Sequence, residues 1–343
     1  MIDSLGMVAA ARAMPEQLDE ARSRCIDLAG LPPAEGITSV LIVGMGGSGL
    51  AGDVAAAVAA PACPVPILVS KQYECPGFVG PDTLVLALSF SGNTEETVAA
   101  VHGAVGAGAR LVVIATGGHL ERIAHEWGAT FVPVDATIPM PRAALAAMAA
   151  TTLSVLEQLG LAPDAGSQLD RARHQLGTRR GELDADLAPV LDTARRIDRT
   201  LPVVYGGGAL GEVAAWRWKG QFNENPKVPA FANRVPELTH NEVCGWAQHG
   251  DVTRQVLTLV LLRHDLEHPQ VARRMELVAE ICDEVVADVV TVRAKGDGEL
   301  AQLLDLVLLG DLVTLQMAAD AQVDPGPVPV LDEIKLRLAG NDA

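Results

Sequence analysis

Basic residues are scarce in this chain: 26 Lys and Arg stand against 43 Asp and Glu, a formal net charge of −17. A phosphate-backbone footprint needs the opposite balance, which argues against nucleic acid as a partner. Any anionic ligand must be held by a local device that overcomes the global field. Cysteine is sparse as well. The five, at 25, 63, 75, 244 and 282, are an odd number without a C-x-x-C spacing. That argues against a disulfide framework or a cysteine-ligated zinc site and fits a reducing cytoplasm. Uninterrupted apolar runs are missing: the most apolar late stretch, Leu300 to Ala319, is broken by Asp305 and Asp311. Met1-Ile2-Asp3-Ser4 has no basic start followed by an apolar core, so neither a membrane span nor an export signal is expected. Aromatics contribute only 3 %.

What is present is apolar and glycine-rich. The 343 residues, a prior of about two domains at ~150 residues each, are 49 % hydrophobic and 20 % charged, with 33 Gly. This is the composition of a compact protein with glycine-rich loops and little disorder. Short apolar runs bounded by Gly, Pro or Asp at 39–43, 65–69, 84–88, 111–114 and 130–134 read as strands. Ala-rich stretches between them, such as 49–60, 95–105 and 120–127, are long enough for helices. The alternation predicts a doubly wound domain around a parallel sheet covered on both faces.

A charged stretch over 161–199 reads as a helical connector with a solvated face. Then Leu201-Pro202-Val203-Val204-Tyr205 runs into Gly206-Gly207-Gly208-Ala209-Leu210-Gly211, parallel to Leu41-Ile42-Val43 and Gly44-Met45-Gly46-Gly47-Ser48-Gly49. The chain therefore reads as a duplicated unit. Apolar runs at 255–262 and 285–292, with helices over 271–283 and 300–319, complete the second unit. The expected division is 1–160 for an N-terminal helix plus the first domain, 161–199 for the connector, and 200–343 for the second domain with a C-terminal helix.

Gly44-Met45-Gly46-Gly47-Ser48-Gly49 formally satisfies the dinucleotide fingerprint G-x-G-x-x-G, yet Val69-Ser70-Lys71-Gln72 stands where a ribose-binding acid belongs. What survives is a loop at a helix N-terminus able to bind an anion or sugar oxygens, or a tight turn that needs Gly for geometry alone. In Ser89-Phe90-Ser91-Gly92-Asn93-Thr94-Glu95-Glu96-Thr97, three hydroxyls sit where a strand turns into a helix. They can surround a phosphate, or serve as an N-cap and turn. Two such strand ends in one sheet favour a ligand, because open α/β sheets bind outside the carboxyl ends of their strands. His264-Asp265-Leu266-Glu267-His268 fits the zinc-protease pattern H-x-x-E-H, but it leaves an apolar strand and meets Pro269, so it reads as a loop rather than a metal-binding helix.

These residues resemble the sugar isomerase (SIS) domain proteins, and within them the bifunctional phosphoglucose/phosphomannose isomerases. The resemblance rests on Gly44 to Ser48 followed by Asp53, on Ser89 to Thr97, on Pro141-Arg142, and on Trp218-Lys219 to Asn223-Glu224-Asn225. It continues through Pro236-Glu237 to His240-Asn241-Glu242 and a late Val328-Pro329 to Lys335. It implies an α/β protein of two doubly wound SIS-type domains, with parallel sheets flanked by helices. It also implies a homodimer with sites between subunits, and isomerisation of aldose and ketose phosphates without metal, nucleotide or other cofactor.

Aldose–ketose isomerisation moves a proton between C1 and C2 through an enediol, which requires a carboxylate base and an acid to open the sugar ring. The resemblance assigns the base to Glu224 and the ring opener to His240, although a carboxylate at a helix end or a lone His among acids is ordinarily solvated. It gives Arg142 the charge on the intermediate and brings Lys335 to the active site, where the competing readings are an exposed Arg and a solvated helix face. Gly46, Gly47, Ser48, Ser89, Ser91 and Thr94 would hold the phosphate. Two rivals remain: a non-catalytic sugar-phosphate sensor, for which residues 1–37 are too short and acidic to add a DNA-binding domain, and an isomerase of another phosphosugar.

Overall fold

The computed structural model describes residues 2–338 and Gly340. Two short helices, α1 (Met7–Arg12) and α2 (Met14–Arg24), lead into β1 (Ser39–Gly44), α3 (Gly46–Ala59), β2 (Ile67–Ser70), β3 (Thr83–Ser89) and α4 (Glu95–Gly106). The first sheet ends with β4 (Arg110–Ala115), α5 (Gly118–Glu126) and β5 (Thr130–Pro133). The helices α6 (Leu145–Gln158), α7 (Ala165–Ala185) and α8 (Ala188–Ile197) follow. The second unit comprises β6 (Leu201–Gly207), α9 (Gly208–Glu224), β7 (Phe231–Val235), α10 (Gly250–Val256), β8 (Leu257–Arg263) and α11 (Pro269–Cys282). It closes with β9 (Asp288–Arg293), α12 (Glu299–Asp320) and α13 (Pro329–Leu338).

Both sheets are wholly parallel, with strand orders β2-β1-β3-β4-β5 and β7-β6-β8-β9. Each therefore reverses direction beside its first strand, between β1 and β3 and between β6 and β8, where doubly wound folds place their ligands. The period of two sorts the strand residues. Leu41, Val43, Val85 and Ala87 face α4 and α5, whereas Val40, Ile42, Leu84, Leu86 and Leu88 face inward. The inward cluster is continuous with buried residues of α6, α7, α9 and α12 and with Val204, Val260 and Val290 of the second sheet. One apolar core thus fills the space between the two sheets.

Several elements differ from the sequence reading. The single N-terminal helix is two, because Pro15 starts a new helix after Ala13. The edge strand β7 was not anticipated, and Gln255 and Val256 belong to α10 rather than to the strand. The stretch 161–199 is helical, but α7 buries Leu169, Ala172, Leu176, Leu183 and the charged Arg179. Arg179 is buried because it donates to the fully buried Asp305 at 3.0 Å, which also receives Gln175 Nε2 and the Lys295 backbone N–H. Asp311, the other carboxylate in α12, is gripped by both arms of the Arg217 guanidinium at 2.8 and 2.6 Å. The helix Glu299–Asp320 is long and apolar enough to cross a membrane, yet almost all of it is buried inside this protein.

Helix α9 matters most for the site because it ends on Glu224. Trp218, with no exposed surface, locks α9 to α12 by donating its indole N–H to the Leu306 carbonyl at 2.8 Å. A methyl group on Gly310 would lie 2.3 Å from Trp218 Nε1. Gly310→Ala is expected to destabilise the protein by about 1–3 kcal/mol, as over-packing does, read as a lowered denaturant midpoint with the slope unchanged.

Candidate active site

The turns at the carboxyl ends of β1 and β3 meet. Ser48, on the first turn of α3, accepts the Phe90 backbone N–H at 3.0 Å and lies 3.4 Å from Met148 Sδ. Ser89 and Thr94 share a 2.8 Å hydrogen bond across the turn into α4, and Ser91 Oγ accepts the Asn93 N–H at 3.2 Å. Ser89 is fully buried, Ser48 nearly so, while Ser91 faces solvent. Thr94 is the N-cap residue of α4, but its side chain makes no capping bond. Its hydroxyl is spent on Ser89 instead. The result is a cluster of hydroxyls at two helix N-termini, where backbone N–H groups and helix dipoles favour negative charge.

Gly47 lets the next part of the site approach. A Cβ there would lie 3.0 Å from both the Pro141 carbonyl and the Arg142 Cα. This contact seats the short 3-10 turn Pro141–Ala144 against the β1–α3 loop. Arg142 is 3 % exposed, and its Nη1 stands 3.4 Å from Glu224 Oε2, joining the first unit to the end of α9. Its Nη2 donates to the carbonyls of Pro325 and Gly326. Nε and Nη1 have no hydrogen-bond partner among the described residues. Buried donors left open in this way cost stability, and an oxyanion arriving beside Glu224 would satisfy them.

Lys227 completes the corner. Its Nζ donates to the Pro327 carbonyl at 2.8 Å and also to that of Glu224. Burial, and then the Arg142 charge, push its pKa down, and burial also lowers that of Arg142 against the pull of Glu224. Arg142 and Lys227 thus flank Glu224, whose carboxylate is one-third exposed, while the Arg217–Asp311 pair lies near Arg142. Nothing in the sequence marked Lys227 or the turn at 325–327; only the folding of α9 back on this turn brings them together.

A groove of about 800 Å³ runs from this corner between α3 and α9, within the usual range for small-molecule sites. Gly46, Gly47, Arg142 and Glu224 line it together with Asp53, Lys71, Glu212 and Arg234. The structure does not bring every expected residue here: Ser48, Ser89, Ser91 and Thr94 do not line the groove. His240, itself exposed, ends a 3-10 turn after β7 that is anchored by the buried Leu238, and it does not line the groove. Lys335 lies on α13, which buries none of its described residues, and among the described residues pairs with Asp332 at 3.6 Å. The His264–His268 segment is a loop, with His264 buried against the Gly207 carbonyl. No group of three or more His, Cys, Asp or Glu among the described residues is placed to hold a metal ion.

Two parallel sheets in the same order, sharing one core and a hydroxyl-lined switch point, define a tandem SIS-domain protein. The tagatose-6-phosphate ketose/aldose isomerase of Escherichia coli has this fold, with a TM-score of 0.69 over 96 % of this chain and 98 % of that one, at 16 % identity. A family model for the bacterial phosphoglucose isomerase C-terminal SIS domain matches residues 188–338. A bifunctional phosphoglucose/phosphomannose isomerase from Caldicellulosiruptor bescii is 34 % identical over 95 % of this chain and 97 % of its own. The chain belongs to the bifunctional phosphoglucose/phosphomannose isomerase family. A relative with another activity, the D-glucosamine-6-phosphate 4-epimerase of Sulfolobus acidocaldarius, is 30 % identical over 66 % of this chain and 69 % of its own.

Proposed function

We propose that this protein interconverts fructose 6-phosphate with glucose 6-phosphate and mannose 6-phosphate through an enediol, in the cytoplasm and without a metal or other cofactor. The observation that carries the reading is the buried Arg142 guanidinium, with open N–H groups, 3.4 Å from Glu224 in the lining of the groove between α3 and α9. Glu224 takes the proton from one of C1 and C2 and returns it to the other. Arg142 stabilises the enediolate oxygen as charge develops, a preorganised donor whose guanidinium is itself buried. Gly46, Gly47, Ser48, Ser89, Ser91 and Thr94 hold the phosphate. Glucose and mannose differ only at C2, so dual activity requires the intermediate to be reprotonated on either face.

His240 opens the ring, and it does so from a second copy of the chain. Its exposed position, outside the groove that holds Glu224, supports a homodimer in which each site combines residues of both subunits. Lys335 on the fully exposed α13 reaches a site in the same manner.

The hydroxyl cluster is a binding device, so Ser89→Ala combined with Thr94→Val is expected to raise KM for fructose 6-phosphate by about tenfold or more while largely preserving kcat. Steady-state assays coupled to glucose 6-phosphate oxidation measure both parameters. An unchanged KM would remove the phosphate from this cluster. The Sulfolobus relative's name raises a second reading, an enzyme acting at C4 of an amino-sugar phosphate; turnover of glucosamine 6-phosphate but not of fructose 6-phosphate would favour it.

A further inference from the structure

The second domain repeats the architecture of the phosphate site but carries different side chains. Register places Gly44 opposite Leu88 in the first sheet and Gly206 opposite Leu262 in the second. In both units the helix after the first strand begins on a glycine of positive φ, Gly46 and Gly208. In both, a glycine pair presses strand end against helix: a Cβ on Gly49 would lie 2.5 Å from the Gly44 carbonyl O, and one on Gly206 would lie 1.9 Å from the Gly211 carbonyl O. The turns from β3 to α4 and from β8 to α11 have the same length, so Ser89, Ser91 and Thr94 correspond to Arg263, Asp265 and His268, and Ser48 to Leu210. A hydroxyl cluster has become a buried cation.

We infer that the switch point of the second domain is an oxyanion site whose occupant is the chain's own Glu267 carboxylate. The Glu267 side chain is 2 % exposed and folds back from the β8–α11 turn. Its oxygens accept Arg263 Nε at 2.8 and 2.9 Å and the His264 backbone N–H at 3.1 Å. The carboxylate lies against Gly207, where a Cβ would meet its carbon and one oxygen at 3.1 Å, just ahead of the N-terminus of α9. It thus sits where β6 and β8 diverge, the position the hydroxyl cluster occupies between β1 and β3. Arg263 is itself 5 % exposed, so the guanidinium exists to hold an anion at this spot rather than to face water. His264 is 8 % exposed; its Nε2 is bonded to the Gly207 carbonyl, and its Nδ1 has no partner among the described residues. With Nε2 donating to that carbonyl, the neutral ring leaves Nδ1 as an acceptor, so the donors the cradle offers an anion are the Arg263 guanidinium and the His264 backbone N–H. The ligand class that fits is a small tetrahedral oxyanion such as inorganic phosphate, which can bridge guanidinium, backbone N–H and helix terminus as the carboxylate does.

Glu267→Ala removes the plug and strands a buried guanidinium, which a free anion can then re-pair. The test is made in a Ser89→Ala/Thr94→Val background, so that the first domain's hydroxyl cluster does not contribute. There, adding Glu267→Ala is expected to lower the melting midpoint and make it phosphate-dependent. It should climb by about 2–4 °C at a tenfold excess of inorganic phosphate over its dissociation constant, against chloride at equal ionic strength. The parent background should not show this added response. Adding Arg263→Leu to Glu267→Ala removes both charges and should abolish the response while regaining stability in chloride. If Glu267→Ala does not fold in chloride, the inference requires that it fold in phosphate. Equal misfolding in both salts, or a phosphate response no greater than that of the parent background, overturns the assignment.

Discussion

Glu224→Gln is expected to lose at least ~10²-fold in kcat while the affinity for sugar phosphate is nearly kept. The change preserves the size of the side chain and removes the carboxylate that lines the groove beside the Arg142 guanidinium and can accept a carbon-bound proton. General acid–base catalysis typically contributes 10²–10⁴-fold, which sets the scale of the loss. The interaction lost belongs to the transition state, so kcat and kcat/KM should fall together. The hydroxyl-cluster variant should show the opposite pattern. Ordinary turnover by Glu224→Gln would sink the assignment of the base.

The second large effect is a recovery. Glu224→Gln and His240→Ala chains should each be inactive alone, yet co-refolding them in equal amounts should return roughly a quarter of wild-type activity. Random pairing makes about half the dimers mixed, and under a two-fold arrangement each mixed dimer has one site with both native residues and one with neither. If each site is built within a single chain, every site in the mixture lacks one residue and nothing returns. The exposed placement of His240, away from the groove that holds Glu224, is the reason for expecting recovery. Native mass spectrometry confirms that mixed dimers have formed, so an inactive mixture would refute the shared site.

How far the sequence revealed this molecule depended on whether a signal was local. The strands β1, β3, β4, β6 and β8 stood out because a parallel sheet covered on both faces requires nearly continuous apolar runs, and those of β1, β3 and β6 end directly in Gly or Ser. The strand β7 did not. Phe231-Ala232-Asn233-Arg234-Val235 is a half-polar edge strand with Phe231 more than half exposed, and its pairing with β6 supplies the order its composition lacks. The charged α7 read as solvated because Arg179 finds Asp305 only across 126 residues of sequence. The same distance hides the site. Glu224 and Arg142 were visible as separate motifs, but their ion pair depends on α9 packing beside α3 and on Gly47 admitting the Pro141–Arg142 backbone. The glycine pairs that built the case for a duplicated unit are local. The carboxylate that fills the second switch point was not apparent, because His264 to His268 carried the outline of a metal motif instead.

The account is tested most directly by the fate of the carbon-bound proton. Wild-type and Glu224→Gln protein, both dialysed against EDTA, are incubated with fructose 6-phosphate in D₂O, and the aldose phosphates formed are followed by proton NMR. The enediol mechanism predicts that the metal-free wild type forms glucose 6-phosphate and mannose 6-phosphate with solvent deuterium entering at C2, while the variant does so at least ~10² times more slowly. Deuterium entering at the wild-type rate in Glu224→Gln, or wild-type activity that vanishes on chelation and returns with zinc, would contradict it.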